Sequence, residues 1–190
     1  PMIYDVNLPT FAGCDYGFTN PFDFLVMQVD ADDNVRVVYE YRATQRSVEE
    51  NVAALKPKVS QMHIRRCWYD PSSPETGKVL NQNGIPAMPA ENALGDGIEE
   101  VRRKLKIRDT GASLFIDPSC EDLIRELRSY RYPQTRDGQP QKDNPAKIND
   151  HGPDTLRYML MGLKRQSMGI SEIRTTGVKR ETSILDEIYT

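Results

Sequence analysis

Between Ala12 and Tyr41 the apolar residues come in unbroken runs or at every second position, a pattern that strands produce and helices do not. Ala12 to Cys14 lead into Asp15, and the turn residues of Tyr16-Gly17-Phe18-Thr19-Asn20-Pro21 end that first strand. Phe22 to Val29 reads as a second strand, Asp32-Asp33-Asn34 as a turn, and Val35, Val37, Tyr39 and Tyr41 alternate along a third. Three antiparallel strands in chain order are expected. The period then lengthens to nearly four. Ser47 and Glu50 have the spacing of a capping box, and Val48, Val52 and Leu55 form an apolar stripe that stops at Pro57. Ile64 to Tyr69 reads as a fourth strand closed by Asp70-Pro71. A short helix capped by Ser72 or Ser73 follows and ends near Asn83-Gly84. Ile85 to Pro89 is a fifth strand, placed at a sheet edge by its two prolines.

Gly97 to Leu105 is expected as a helix with Ile98, Val101 and Leu105 on its inner face and Arg102, Arg103 and Lys104 on a solvated one. Leu114 to Ile116 is a short extended run, and Cys120 to Tyr130 a second amphipathic helix through Leu123, Ile124 and Leu127. From Tyr132 to Asn149 apolar content is low and Asp137-Gly138 and Asn144-Pro145 signal turns, as in either a polar loop or a protruding hairpin. Asp154 to Leu163 is a strong helix with Leu156, Leu160 and Leu163 inward. Beyond Ser167 the period fades. Residues 1–168 are thus expected to form one domain and 169–190 a loosely ordered tail. After an antiparallel meander, right-handed crossovers set the fourth and fifth strands parallel to the first. Such an α/β chain, with a mixed sheet flanked by helices, has the topology of the ribonuclease H fold.

Composition narrows the class without fixing it. The 190 residues suit one domain, and 38% hydrophobic with 28% charged residues suits a water-soluble globule. No run of about 20 apolar residues is present, and the first residues lack a secretory pattern, so a cytoplasmic protein that does not cross a membrane is expected. Cys14, Cys67 and Cys120 are far apart and form no CxxC pair, which favours buried thiols over a disulfide framework or zinc knuckle. The net charge of -3 hides a gradient. Residues 1–50 hold three Arg against nine acids, and residues 101–147 hold eleven Lys or Arg against seven. That polarity suits an enzyme that holds cations at one place with a polyanion beside it.

If the fourth strand lies beside the first, Asp15 and Asp70 reach the same end of the sheet, where ligands of α/β proteins bind. Asp154, in the first turn of the strong helix, is the third candidate. Three crowded carboxylates repel one another unless a divalent cation neutralises them. All-oxygen ligands favour Mg²⁺ or Mn²⁺ over zinc. Two such ions about 3.5–4 Å apart would activate water and stabilise the leaving oxygen in phosphodiester hydrolysis. Asp15 is then the bridging ligand, Asp70 and Asp154 flank it, and His151 orients a ligand or water or shuttles a proton. Taken singly, each aspartate also fits a turn or a helix cap, as Asp150 and Glu75 do.

Gly13-Cys14-Asp15-Tyr16-Gly17 with Asn20-Pro21, then Trp68-Tyr69-Asp70-Pro71-Ser72-Ser73-Pro74-Glu75, then Asn92 to Val101, then Asn149-Asp150-His151-Gly152-Pro153-Asp154 with Leu156-Arg157-Tyr158, come in an order that resembles the C-terminal nuclease domain of tailed-bacteriophage large terminase subunits. The similarity runs from about Phe11 to Leu163. It implies a metal-dependent DNA endonuclease that cuts concatemeric double-stranded DNA during packaging, with Asp15, Asp70 and Asp154 on the metals. It also implies, as partners, the ATPase domain of a full-length large terminase, the small terminase subunit and the portal protein, in the host cytoplasm. Gly77-Lys78 does not supply that ATPase: Ser72 stands where a phosphate loop needs glycine and Val79 where it needs Ser or Thr. The resemblance implies a β-hairpin beside the site, for which Tyr132 to Lys147 is the candidate. Arg128, Arg131, Arg136, Lys142 and Lys147 around it are the expected phosphate contacts. Two other readings stay open: a Holliday-junction resolvase of the same fold, and a non-catalytic module that docks on DNA or portal.

Overall fold

Phe22–Val29 is a strand buried on both faces, which is why its sequence is a continuous apolar run. It is β2 of a sheet that begins with β1, Thr10–Asp15, and continues with β3, Val35–Ala43. The three pair antiparallel, as the alternation predicts. In this computed structural model residues 2–109, 111–131 and 149–176 are described. Helix α1, Val48–Val59, starts with the reciprocal capping box of Ser47 and Glu50, and runs through Pro57. The expected stop at Pro57 does not occur because Val59, two residues on, is buried on the same apolar stripe and offsets the lost amide.

Strand β4, Arg66–Tyr69, lies parallel to β1, helix α2, Pro74–Gln82, crosses over, and β5, Ala87–Pro89, lies parallel to β4. The remaining elements are helix α3 (Leu94–Leu105), strand β6 (Leu114–Ile116), helix α4 (Glu121–Ser129) and helix α5 (His151–Thr176). The six strands are ordered β5-β4-β1-β2-β3-β6. β5 is an edge strand as its prolines require, and the run at Leu114 forms the other edge, parallel to β3.

Two apolar cores sandwich the sheet. On one face Phe24, Val26, Val52, Leu55 and Leu80 pack α1 and α2. On the other Leu25, Met27, Leu123, Leu156, Met159 and Leu160 pack α4 and α5. The alternation expected through Val35, Val37, Tyr39 and Tyr41 is broken. A bulge pairs Tyr39 with Val26 but Val37 with Met27, leaving Val38 as an extra residue. Val35 and Val37 therefore face the α5 side, and Tyr39 and Tyr41 the α1 side. Glu40 and Arg42 consequently point at α4 and α5. The solvated face expected of α3 also needs correction. Lys104 is buried, and its Nζ donates to both the carbonyl and the carboxylate of Asp33 at 2.6 Å, while buried Glu100 pairs with Arg103. All three cysteines are free and buried, and burial pushes the Cys120 thiol up to about 12. Among the described residues no helix is long and apolar enough to cross a membrane.

Candidate active site

Parallel pairing aligns Cys14 of β1 with Tyr69 of β4, so the next residues, Asp15 and Asp70, emerge together at one sheet end. The Asp70 amide ties that exit down by donating to Cys14 O at 3.2 Å. Helix α5 crosses beneath β1, and Gly13 makes the crossing possible, because a Cβ there would strike the Met159 and Thr155 side chains. The close approach brings the first turn of α5 against Asp15. His151 Nδ1 lies 2.9 Å from Asp15 Oδ2.

A cavity of about 780 Å³ opens at this end of the sheet. Asp15, Asp70, Asp150, His151 and Asp154 line it, with Tyr16, Asn20, Asn92, Tyr130, Arg157 and Tyr158 among its other walls. The four residues expected to carry the chemistry are thus brought to one cavity. Glu75 is not on that wall; it is exposed and 3.7 Å from Lys78. Arg128 lines a separate groove on α4, and Arg131 an apolar pocket between α3, α4 and α5. Arg136, Lys142, Lys147 and the candidate hairpin from Tyr132 to Lys147 lie outside the described residues.

Sequence reasoning gave Arg157 no role. Its guanidinium donates to Asp154 Oδ1 at 3.1 Å and to Asn92 Oδ1 at 3.1 Å, and it lies 4.6 Å from the centre of the Tyr158 ring. Gly97 of α3 makes room for it, since a Cβ there would meet the Arg157 stem. The three-residue spacing from Asp154 to Arg157 on one helix was the available signal.

Each carboxylate has its own partner: Asp15 has His151, Asp154 has Arg157, and Asp70 Oδ1 accepts from the Ser72 amide at 2.8 Å. Among the described residues no three His, Cys, Asp or Glu side chains stand close enough to share one metal ion in this arrangement. The donor chemistry still fits a hard dication, because the cavity carries an uncompensated negative field. Burial raises the Asp154 pKa, and beyond the relief from Arg157 the charges of Asp150 and Asp15 raise it further. Burial, then Asp70, Asp154 and Asp15, push the Tyr158 phenol up. The hydrogen bond to Asp15 raises the His151 pKa despite burial. Exchange of those private partners for a cation is a side-chain rearrangement within one cavity.

No family model matches the sequence, and no curated relative does. Solved structures do. The large terminase of a thermophilic bacteriophage is 26% identical with a TM-score of 0.69, over 83% of this chain and 39% of that one. The P22 large terminase nuclease domain gives a TM-score of 0.69 at 16% identity, over 86% of each chain. The nuclease domain of the bacteriophage SPP1 large terminase, solved with bound Mn, gives 0.62 at 20% identity, over 82% of this chain and 85% of that one. These structural neighbours are thus one large terminase and the nuclease domains of two others. The mixed six-stranded sheet is accordingly ribonuclease H-like, with the three antiparallel strands followed by parallel ones that the sequence pattern predicts. The chain spans well under half of the thermophilic phage's large terminase, and 86% and 85% of the P22 and SPP1 nuclease domains.

Proposed function

We propose that this terminase-nuclease-like domain is a metal-dependent DNA endonuclease of a phage packaging machine, cutting concatemeric double-stranded DNA. The observation that carries the reading is the joint placement of Asp15, Asp70 and Asp154 around one cavity, at the sheet end where parallel β1 and β4 terminate. The manganese in the SPP1 domain supports a divalent cation. The ATPase domain of a longer large terminase, the small terminase subunit and the portal are the proposed partners, and the host cytoplasm the proposed setting.

Asp15, Asp70 and Asp154 would hold the cations. A pair of Mg²⁺ or Mn²⁺ ions, when bound, supplies a more acidic water and neutralises charge on the attacked phosphate. The protein does the rest. His151 stands on the same wall, its Nδ1 beside Asp15 until a cation takes that carboxylate, and as a neutral imidazole it can take a proton from water. Arg157, paired with Asp154 until a cation takes its place, brings positive charge to the wall where a phosphate must enter. Arg128 and Arg131, with Arg136, Lys142 and Lys147, are the proposed phosphate contacts. Contacts of that kind hold a duplex without reading its sequence.

The test is Mn²⁺-supported nicking of supercoiled plasmid. Asp15→Ala, Asp70→Ala and Asp154→Ala should each fall to background with circular dichroism unchanged, and a chelator should stop the parent. Cleavage retained by Asp15→Ala would remove the mechanism. Strict preference for four-way junctions over linear duplex would point to a resolvase instead.

A further inference from the structure

Behind the site lies a chain of buried and half-buried charges that its chemistry does not use. Arg42 is the hub. Its Nε donates to Asp23 Oδ1 at 2.9 Å, and its two terminal nitrogens reach Glu126 Oε1 and Oε2 at 2.5 and 2.9 Å. Glu126 on α4 is 2% exposed, and its Oε2 also accepts the Gly152 amide at 2.7 Å. Gly152 belongs to the first turn of α5, between His151 and Asp154. Glu40, two residues before Arg42 on β3, accepts the Asp122 and Leu123 amides at 3.0 and 2.7 Å and so fixes the start of α4. The bulge in β3 turns both Glu40 and Arg42 toward these helices.

We infer that Arg42 and Glu126 are positioning residues: they form a strut from the sheet through α4 to the Gly152 amide, and set the first turn of α5 for cation binding. The inference rests on the metal-nuclease reading. The geometry is specific to that use. A helix start needs an acceptor for its free amides, and an ordinary cap comes from the preceding residue on the same helix. Here the acceptor is a carboxylate of another helix, itself gripped at both oxygens by an arginine of the sheet. Such a bidentate fork fixes direction as well as distance. A rigid fork holds the turn carrying His151 and Asp154 relative to Asp15 on the neighbouring strand, and the Arg42 partner Asp23 is the register partner of Asp15.

The experiment compares Glu126→Ala with Leu127→Ala, a neighbouring loss of apolar packing on the same helix that leaves the strut in place. Mn²⁺ binding is measured by calorimetry, alongside amide exchange. Glu126→Ala should weaken Mn²⁺ binding about tenfold, the range of lost support behind metal ligands, and lower kcat with little change in KM for DNA. Leu127→Ala should lose thermal stability but bind Mn²⁺ within twofold of the parent. The Gly152 amide of Glu126→Ala should exchange at least tenfold faster, with Met159 to Met161 unchanged, and that readout needs no metal. Glu126→Gln, which keeps one acceptor oxygen for the Gly152 amide but breaks the fork to Arg42, should lose less Mn²⁺ affinity than Glu126→Ala, and a loss as large would count against the role given to the Gly152 bond. Equal Mn²⁺ affinity in Glu126→Ala and parent, or equal loss in Leu127→Ala, would overturn the strut. A parent that binds no Mn²⁺ would overturn the nuclease reading, and the strut's role with it, even where Gly152 exchange changes. Should Glu126→Ala fail to fold, Arg42→Lys decides: it keeps the charge without the fork, and should weaken Mn²⁺ binding threefold or more, while unchanged affinity would sink the proposal.

Discussion

The two faces of the sheet are built by different means. Against α1 and α2 the packing is apolar: Phe24, Val26, Val52, Leu55 and Leu80 are fully buried. Against α4 and α5 an equally apolar core is continued, toward the cavity, by Asp23, Arg42, Glu40 and Glu126. A buried ion pair gives little net stability, because desolvation offsets most of its attraction, yet removing one partner is costly. One face therefore holds the fold by area, and the other spends stability on direction beside the site.

The largest effect expected from breaking this contrast is in Arg42→Ala. It leaves Glu126 as a buried charge without its cation and Asp23 without its partner, and should cost about 3–5 kcal/mol in chemical denaturation while also weakening Mn²⁺ binding. Leu55→Ala on the opposite face should cost about 2–5 kcal/mol through the cavity it leaves, with Mn²⁺ affinity in the folded protein unchanged. A metal affinity that fell equally in both would mean the faces do not differ in role.

Acidity gives a smaller and sharper handle on the charged face. Burial raises the Asp23 carboxyl from 3.8 to about 7, despite Arg42, and its Oδ2 is buried with no hydrogen-bond partner. The folded state thus holds this proton more tightly than the unfolded chain. The stabilisation is complete below pH 3.8 and is lost as pH rises through about 7. His151, also raised, acts in the same direction. The melting temperature should therefore rise as pH falls from 8 toward 5.5, and Asp23→Asn should flatten that rise. An unchanged slope in Asp23→Asn would show that Asp23 is not the titrating group.

The apolar face was legible in the sequence because periodicity reports burial on a single stripe. The Ser47–Glu50 cap, the edge strand with Pro86 and Pro89, and the parallel β1 and β4 that align Asp15 with Asp70 all followed from local pattern and handedness. On the other face the apolar residues of α4 and α5 were legible, and the charged network was not. One extra residue at Val38 inverts the parity of β3, so Tyr39 and Tyr41 leave the face that Val35 and Val37 occupy. Lys104 reads as solvated until the turn at Asp33 is folded against it. Arg42 and Glu126 acquire meaning only from partners on other elements, which no spacing along the chain reveals, and for Arg157 the spacing shows the pair with Asp154 but not the contact with Asn92. The acids of the site fell between these cases: Asp15 and Asp70 are set by strand ends, whereas Asp154 depends on how closely Gly13 lets α5 approach.

The central claim is that Asp15, Asp70 and Asp154 gather around cations, giving up the partners each now holds. Anomalous diffraction from a crystal soaked in Mn²⁺ tests it most directly. The account predicts density in the cavity within coordination distance of all three carboxylates, with Asp15 turned from His151 and Asp154 from Arg157. Manganese bound elsewhere, or an empty cavity in a protein that still cuts DNA, would contradict it.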